Sequence, residues 1–95
     1  MIAKKDLDRL LTLTRKWYTE KDPDQSKIYC DQAISLSREI AKGTSLAAYD
    51  GPMGNQLFSL AQHIAEKRWP NEQLYIMVER SGEQVDNWEY KGDFI

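Results

Sequence analysis

Leu7, Leu10, Leu11, Thr14, Trp17 and Tyr18 follow one another at intervals of 3, 1, 3, 3 and 1 residues. That spacing returns every one of these side chains to a single face of a 3.6-residue helix, so the stripe must be buried against a neighbouring element. No other feature constrains the chain as tightly, because the same period recurs twice downstream. It predicts a first helix over about residues 6–19, with Lys5, Arg9, Arg15 and Lys16 mostly on the opposite side. Asp6 and Asp8 interrupt this basic run, which reads as a solvated face ahead of a nucleic-acid patch.

The next helix announces its own start. In EKDPDQSK, Asp22 is a capping residue, Pro23 suits the first helical position because its missing N–H is not needed there, and Gln25 occupies the capping-box place. The helix is expected over residues 23–42, ended by Gly43. Its apolar arc, Tyr29, Ala33, Leu36 and Ile40 widened by Cys30, Ile34, Ser37 and Ala41, covers nearly half the circumference. An arc of that width predicts contact with two neighbours. Residues 43–55 are rich in turn formers and read as a connection with one helical turn near Leu46. A third helix is expected over about residues 53–68, with Leu57, Phe58, Ala61, Ile64 and Ala65 on its apolar side and Pro70 stopping it.

After Pro70 the pattern changes. QLYIMVER concentrates β-branched and aromatic residues, SGEQ offers a turn, and VDNWEY resumes a strand-like composition, which predicts a β-hairpin over about residues 73–91. Leu74, Ile76 and Val78 would then pack on the helices, with Tyr75 and Met77 on the other face. The expected fold class is α+β, three amphipathic helices followed by a C-terminal hairpin, in a single domain over residues 1–95. The alternative is an all-α four-helix domain whose last helix begins near Asn71 and ends at Gly82.

Composition narrows the function. Ninety-five residues with 41% apolar content suffice for one modest core. No run of about 18 apolar residues is present, so a membrane span is not expected. The N-terminus turns charged at once, and the single cysteine, Cys30, forms no internal disulfide; both point to a cytoplasmic protein. The net charge of −2 hides a gradient: residues 1–49 carry nine Lys/Arg against seven Asp/Glu, and residues 50–95 carry four against eight.

No catalytic or cofactor motif stands out. Cys30 and His63 are the only thiol and imidazole, and they fall on an apolar and a polar helix face respectively, which disfavours a nucleophile–base pair. His63 with Glu66 offers at most two metal ligands, and a tight site needs three or four. Gly51-Pro52-Met53-Gly54 lacks the ending of a phosphate loop. Neither enzymatic activity, a metal nor a cofactor is expected.

What remains is a surface. VDNWEYKGDF, residues 85–94, threads three aromatics through three carboxylates. Aromatics are over-represented among interface hot spots, and carboxylates steer a basic partner. The expected function is a small acidic module that inhibits or regulates a basic protein, for example one that handles nucleic acid, through Tyr75, Met77, Asp86, Trp88, Glu89, Tyr90 and Asp93. The alternatives are a nucleic-acid-binding regulator using Lys4, Lys5, Arg9, Arg15 and Lys16, and a structural or assembly subunit.

Overall fold

In a computed structural model that describes residues 1–49 and 54–86, the chain opens with a short strand β1 (Ile2–Ala3). Helices α1 (Lys4–Thr19) and α2 (Pro23–Ala41) follow. A 3-10 turn (Ser45–Ala47) leads to α3 (Gln56–Lys67), α4 (Asn71–Arg80) and strand β2 (Val85–Asp86). The first helix starts two residues ahead of its expected boundary because β1 runs straight into it. Pro23 opens α2 as expected.

The expected hairpin over residues 73–91 is overturned. Residues 73–80 lie within α4, and β2 pairs in parallel with β1, Ile2 against Val85 and Ala3 against Asp86. The four-helix alternative describes this part of the chain. The physical reason lies in the burial pattern: Leu74, Tyr75 and Ile76 are buried in succession, and Val78 joins them one turn on. A strand with one covered face buries only alternate residues. The segment NEQLYIMVER holds two β-branched residues against Glu, Gln, Leu, Met and Arg, which favour helix. Its termini are also matched to a helix, with Glu72 in the first turn, Arg80 in the last and Gly82 at φ 95° beyond it.

The first helix is the centre of the fold, packing against α2, α3 and α4, while α2 touches α1, α3 and the 3-10 turn. The wide apolar arc of α2 is thereby covered from two sides. Leu7, Leu10, Leu11, Ala33, Leu57, Ala61, Ile64, Leu74 and Val78 form the middle of the core, and Ile2 and Val85 extend it under the strand pair. The buried hydroxyls of Thr14 and Ser37 are satisfied within their own helices: Thr14 Oγ1 donates to the Leu10 carbonyl (2.7 Å) and Ser37 Oγ to that of Ile34 (2.8 Å).

Asn55 fixes where α3 begins. Its Oδ1 accepts from the Phe58 N–H (2.8 Å), capping the helix, and its Nδ2 donates to the Ser37 carbonyl of α2 (3.2 Å). The side chain is buried, so one residue both starts α3 and locks it to α2. Gly54, next to it, permits the close approach of Phe58: a Cβ there would lie 2.5 Å from Phe58 Cδ2. No helix among the described residues is long and apolar enough to cross a membrane.

Candidate functional site

The end of α1 packs along α3. Trp17 stacks on Phe58 with ring centroids 5.7 Å apart, and Tyr18 meets Trp17 edge-on at 4.8 Å. Both aromatics of α1 were expected in its core stripe, yet Trp17 is only half-buried and Tyr18 is 40% exposed. Gln62 of α3 reaches the Tyr18 hydroxyl at 3.5 Å. His63 of α3 lies edge-on to Trp69, just beyond the end of that helix, at 5.4 Å, and the Arg15 guanidinium donates to the Trp69 carbonyl.

Between these groups lies a cleft of about 460 Å³ lined by Arg15, Tyr18, Thr19, Ala65, Glu66 and Arg68. A depression of similar volume, about 450 Å³, runs along the α1–α2 seam over Leu13 and Leu36, with Arg9, Gln32 and Glu39 at its sides. The seam is the shallower of the two.

Arg68 gives the α1–α3 cleft its distinguishing feature. At φ 56° it is the one non-glycine residue in the left-handed region among the described residues. The turn it makes is complete: the Trp69 N–H donates to the Ile64 carbonyl (3.1 Å) and the Arg68 N–H to that of Ala65 (3.2 Å). Glycine makes this turn without the Cβ penalty, which is about 1 kcal/mol for a residue such as arginine.

The carbonyl ends around the cleft already have donors. Thr19 Oγ1 donates to the Arg15 carbonyl (2.8 Å), the Glu20 N–H to that of Lys16 (2.9 Å), and Ser26 Oγ to that of Trp17 (3.1 Å). Arg68 forms no side-chain hydrogen bond or ion pair with the described residues, and its side chain is exposed. Its guanidinium is therefore not needed to cap the helix that it ends.

The residues expected to form a C-terminal binding surface are placed differently. Tyr75 is 1% exposed and belongs to the core, Met77 is half-buried against that core, and Asp86 is exposed on β2. The expectation that Tyr75 and Met77 share an outer hairpin face is corrected by α4, whose packing turns Tyr75 inward. Trp88, Glu89, Tyr90 and Asp93 lie outside the described residues.

The five cations of the nucleic-acid alternative are mostly engaged within the chain. Lys4 Nζ lies 5.5 Å from the Tyr75 ring centroid, Lys16 Nζ lies 5.9 Å from that of Tyr29, and Arg9 pairs with Asp6 at 3.4 Å. Arg15 is held by Trp69, which leaves Lys5 exposed without such a contact among the described residues.

Cys30 is buried, and this burial pushes its thiol above the ordinary range, with Asp31 adding to the effect and Lys27 opposing it. A thiol so placed is a poor nucleophile. His63 is exposed. Burial raises the Asp8 carboxyl, Lys4 opposing and Glu72 reinforcing the shift, but Asp8 lines neither depression. No group of three or more His, Cys, Asp or Glu side chains suited to a metal occurs among the described residues. No protein-family model, curated protein or solved structure matches the chain.

Arg68 was not singled out by the sequence pattern and Tyr18 was expected only in the core stripe of α1, although one signal pointed to the first. Two helices end in Gly43 and Gly82, whereas Lys67-Arg68-Trp69 reaches Pro70 with no glycine. Pro70 stops the helix as expected, and the left-handed position before it holds arginine where α2 and α4 have glycine.

Proposed function

We propose that the chain is a protein-binding module that regulates its partner without catalysing a reaction, and that the partner docks in the cleft between the ends of α1 and α3. The observation that carries this reading is Arg68, an arginine kept in a left-handed turn where glycine is the more stable choice, with its side chain on the cleft wall. Arginine, tyrosine and tryptophan are the residues most enriched in interface hot spots, and Arg15, Tyr18 and Arg68 meet here beside the half-buried Trp17 and Trp69. A basic partner held by the acidic C-terminal segment is the second reading, supported among the described residues by the exposed Asp86.

The test is affinity capture from a nuclease-treated lysate with the wild-type chain, Arg68→Gly and Asp86→Lys, alongside thermal melts of all three. The cleft reading expects a protein retained by the wild type and by Asp86→Lys but lost from Arg68→Gly, with Arg68→Gly melting no lower than the wild type. Retention by Arg68→Gly and loss from Asp86→Lys would transfer the function to the C-terminal segment.

A further inference from the structure

We infer that the group the partner inserts into the α1–α3 cleft is a carboxylate, carried by an Asp or Glu side chain of an acidic segment. The inference rests on the docking reading above and adds the chemistry of the occupant.

Three observations carry it. First, two guanidinium groups line one cleft, and neither is consumed by the fold: Arg68 has no side-chain bond to the described residues, and Arg15 spends one nitrogen on the Trp69 carbonyl. A guanidinium offers five N–H donors in a planar fork matched to a carboxylate, so donors remain on both. Second, Arg15 is half-buried, so its interaction with an incoming anion is screened less than at an open surface. Third, the charge count selects among anions. Against two arginines stands Glu66 on the cleft wall, while the C-terminal carbonyls of α1 and α3 already have donors and Lys16 and Lys67 lie in the last turns of those helices.

The lining therefore carries a formal charge of +1 before a ligand arrives, which one carboxylate neutralises while taking up the directed bonds. A phosphomonoester, at roughly −1.5 to −2, exceeds that charge and meets Glu66 with up to about twice the repulsion. Glu66 thus acts as a selectivity element, tolerating a single carboxylate and rejecting denser anions.

The experiment titrates the purified chain with polyglutamate at low salt and follows tryptophan emission, since the Trp17 ring meets Tyr18 of the cleft wall and Trp69, next to Arg68, accepts from Arg15. The expected result is a saturable change in the wild type that weakens about tenfold or more in Arg68→Gln and in Arg15→Gln. Glu66→Gln should bind polyglutamate more tightly and also gain affinity for inorganic polyphosphate, which the wild type binds less well than polyglutamate at equal charge concentration. Absence of a saturable change in the wild type, an equal response from Arg68→Gln, or a preference for polyphosphate would each overturn the assignment. If capture of a protein depends on Arg68 while polyglutamate does not bind, only the carboxylate chemistry falls. If polyglutamate binds through Arg68 while no protein is captured through it, the docking reading falls instead.

Discussion

The ends of α2 and α4 differ from the end of α3 in one respect that separates stability from use. Both α2 and α4 pass into glycines with positive φ, Gly43 at 80° and Gly82 at 95°, and a Cβ at either would meet no atom within 4 Å. Only backbone conformation chooses glycine there. At the end of α3 the same kind of turn is made by Arg68 at 56°. Its start, by contrast, is strongly built, with the buried Asn55 making two bonds. One helix thus begins with a device that stabilises the fold and ends with a residue that costs stability, and that residue lines the deeper of the two depressions. The difference teaches that stability alone accounts for the start of α3 and not for the arginine at its end, which is the ground of the docking proposal.

The comparison is tested most severely at the start of α3. Asn55→Ala should lower stability by about 2 kcal/mol or more, because it removes a cap and leaves the Ser37 carbonyl without its donor in the interior. A denaturant midpoint unchanged by this substitution would mean that the start of α3 is no better built than its end. Next in size, Gly43→Ala should cost about 1 kcal/mol, a purely conformational penalty since the added methyl meets nothing.

Arg68→Gly should move the other way, gaining about 0.5–1 kcal/mol, or a few degrees in melting temperature for a domain of this size. Opposite signs at Gly43 and Arg68 are the expected signature. If Arg68→Gly destabilises, arginine is the stabilising choice and the contrast between helix ends disappears.

The smallest effect concerns a further device just beyond α4. Glu83 accepts bonds from Ser45 Oγ (2.5 Å) and from the Ser45 N–H (2.6 Å), tying the turn after α4 to the 3-10 turn. These two bonds, side-chain first, hold the Glu83 carboxyl below its ordinary value, with a lesser contribution from the N-terminal amine. A carboxyl depressed in the folded state stabilises the fold above its unfolded value and loses that contribution as pH falls through its folded value. Stability should therefore fall on acidification through the lower carboxylate range, and Glu83→Gln should flatten that part of the profile. An identical acid limb in the variant would mean that the Ser45 bonds do not discriminate between the two charge states.

Much of the architecture was legible in the residues. The 3-and-4 spacing of α1 and the Asp22-Pro23 start of α2 are local signals that the structure follows, although Asp22 makes no side-chain capping bond, whereas α3 begins at Gln56 behind the Asn55 cap and not near residue 53. The segment after Pro70 was misread because Tyr75, Ile76 and Val78 carry strand propensity, while their burial is decided by packing against helices distant in sequence. Tertiary contact, acting with the helix formers and matched termini of this stretch, made it α4. The cleft was harder still to foresee. Arg15 and Arg68 are far apart in the chain and meet only after α1 and α3 have packed, and no spacing rule connects them. The missing glycine before Pro70 was the trace left in the sequence.

The parallel pairing of β1 with β2 also governs the order of events during folding. Residue 2 meets residue 85, so the pair closes nearly the longest loop available among the described residues and recovers only two strand positions for the entropy lost. Helix pairs close together in sequence, such as α1 with α2, reach their contacts sooner. The strands should therefore join after the rate-limiting barrier. Val85→Ala is expected to accelerate unfolding while leaving the refolding limb of the chevron nearly unchanged. In that sequence of events the strand pair serves as a latch: it contributes little to how fast the native state is reached and much to how long it persists.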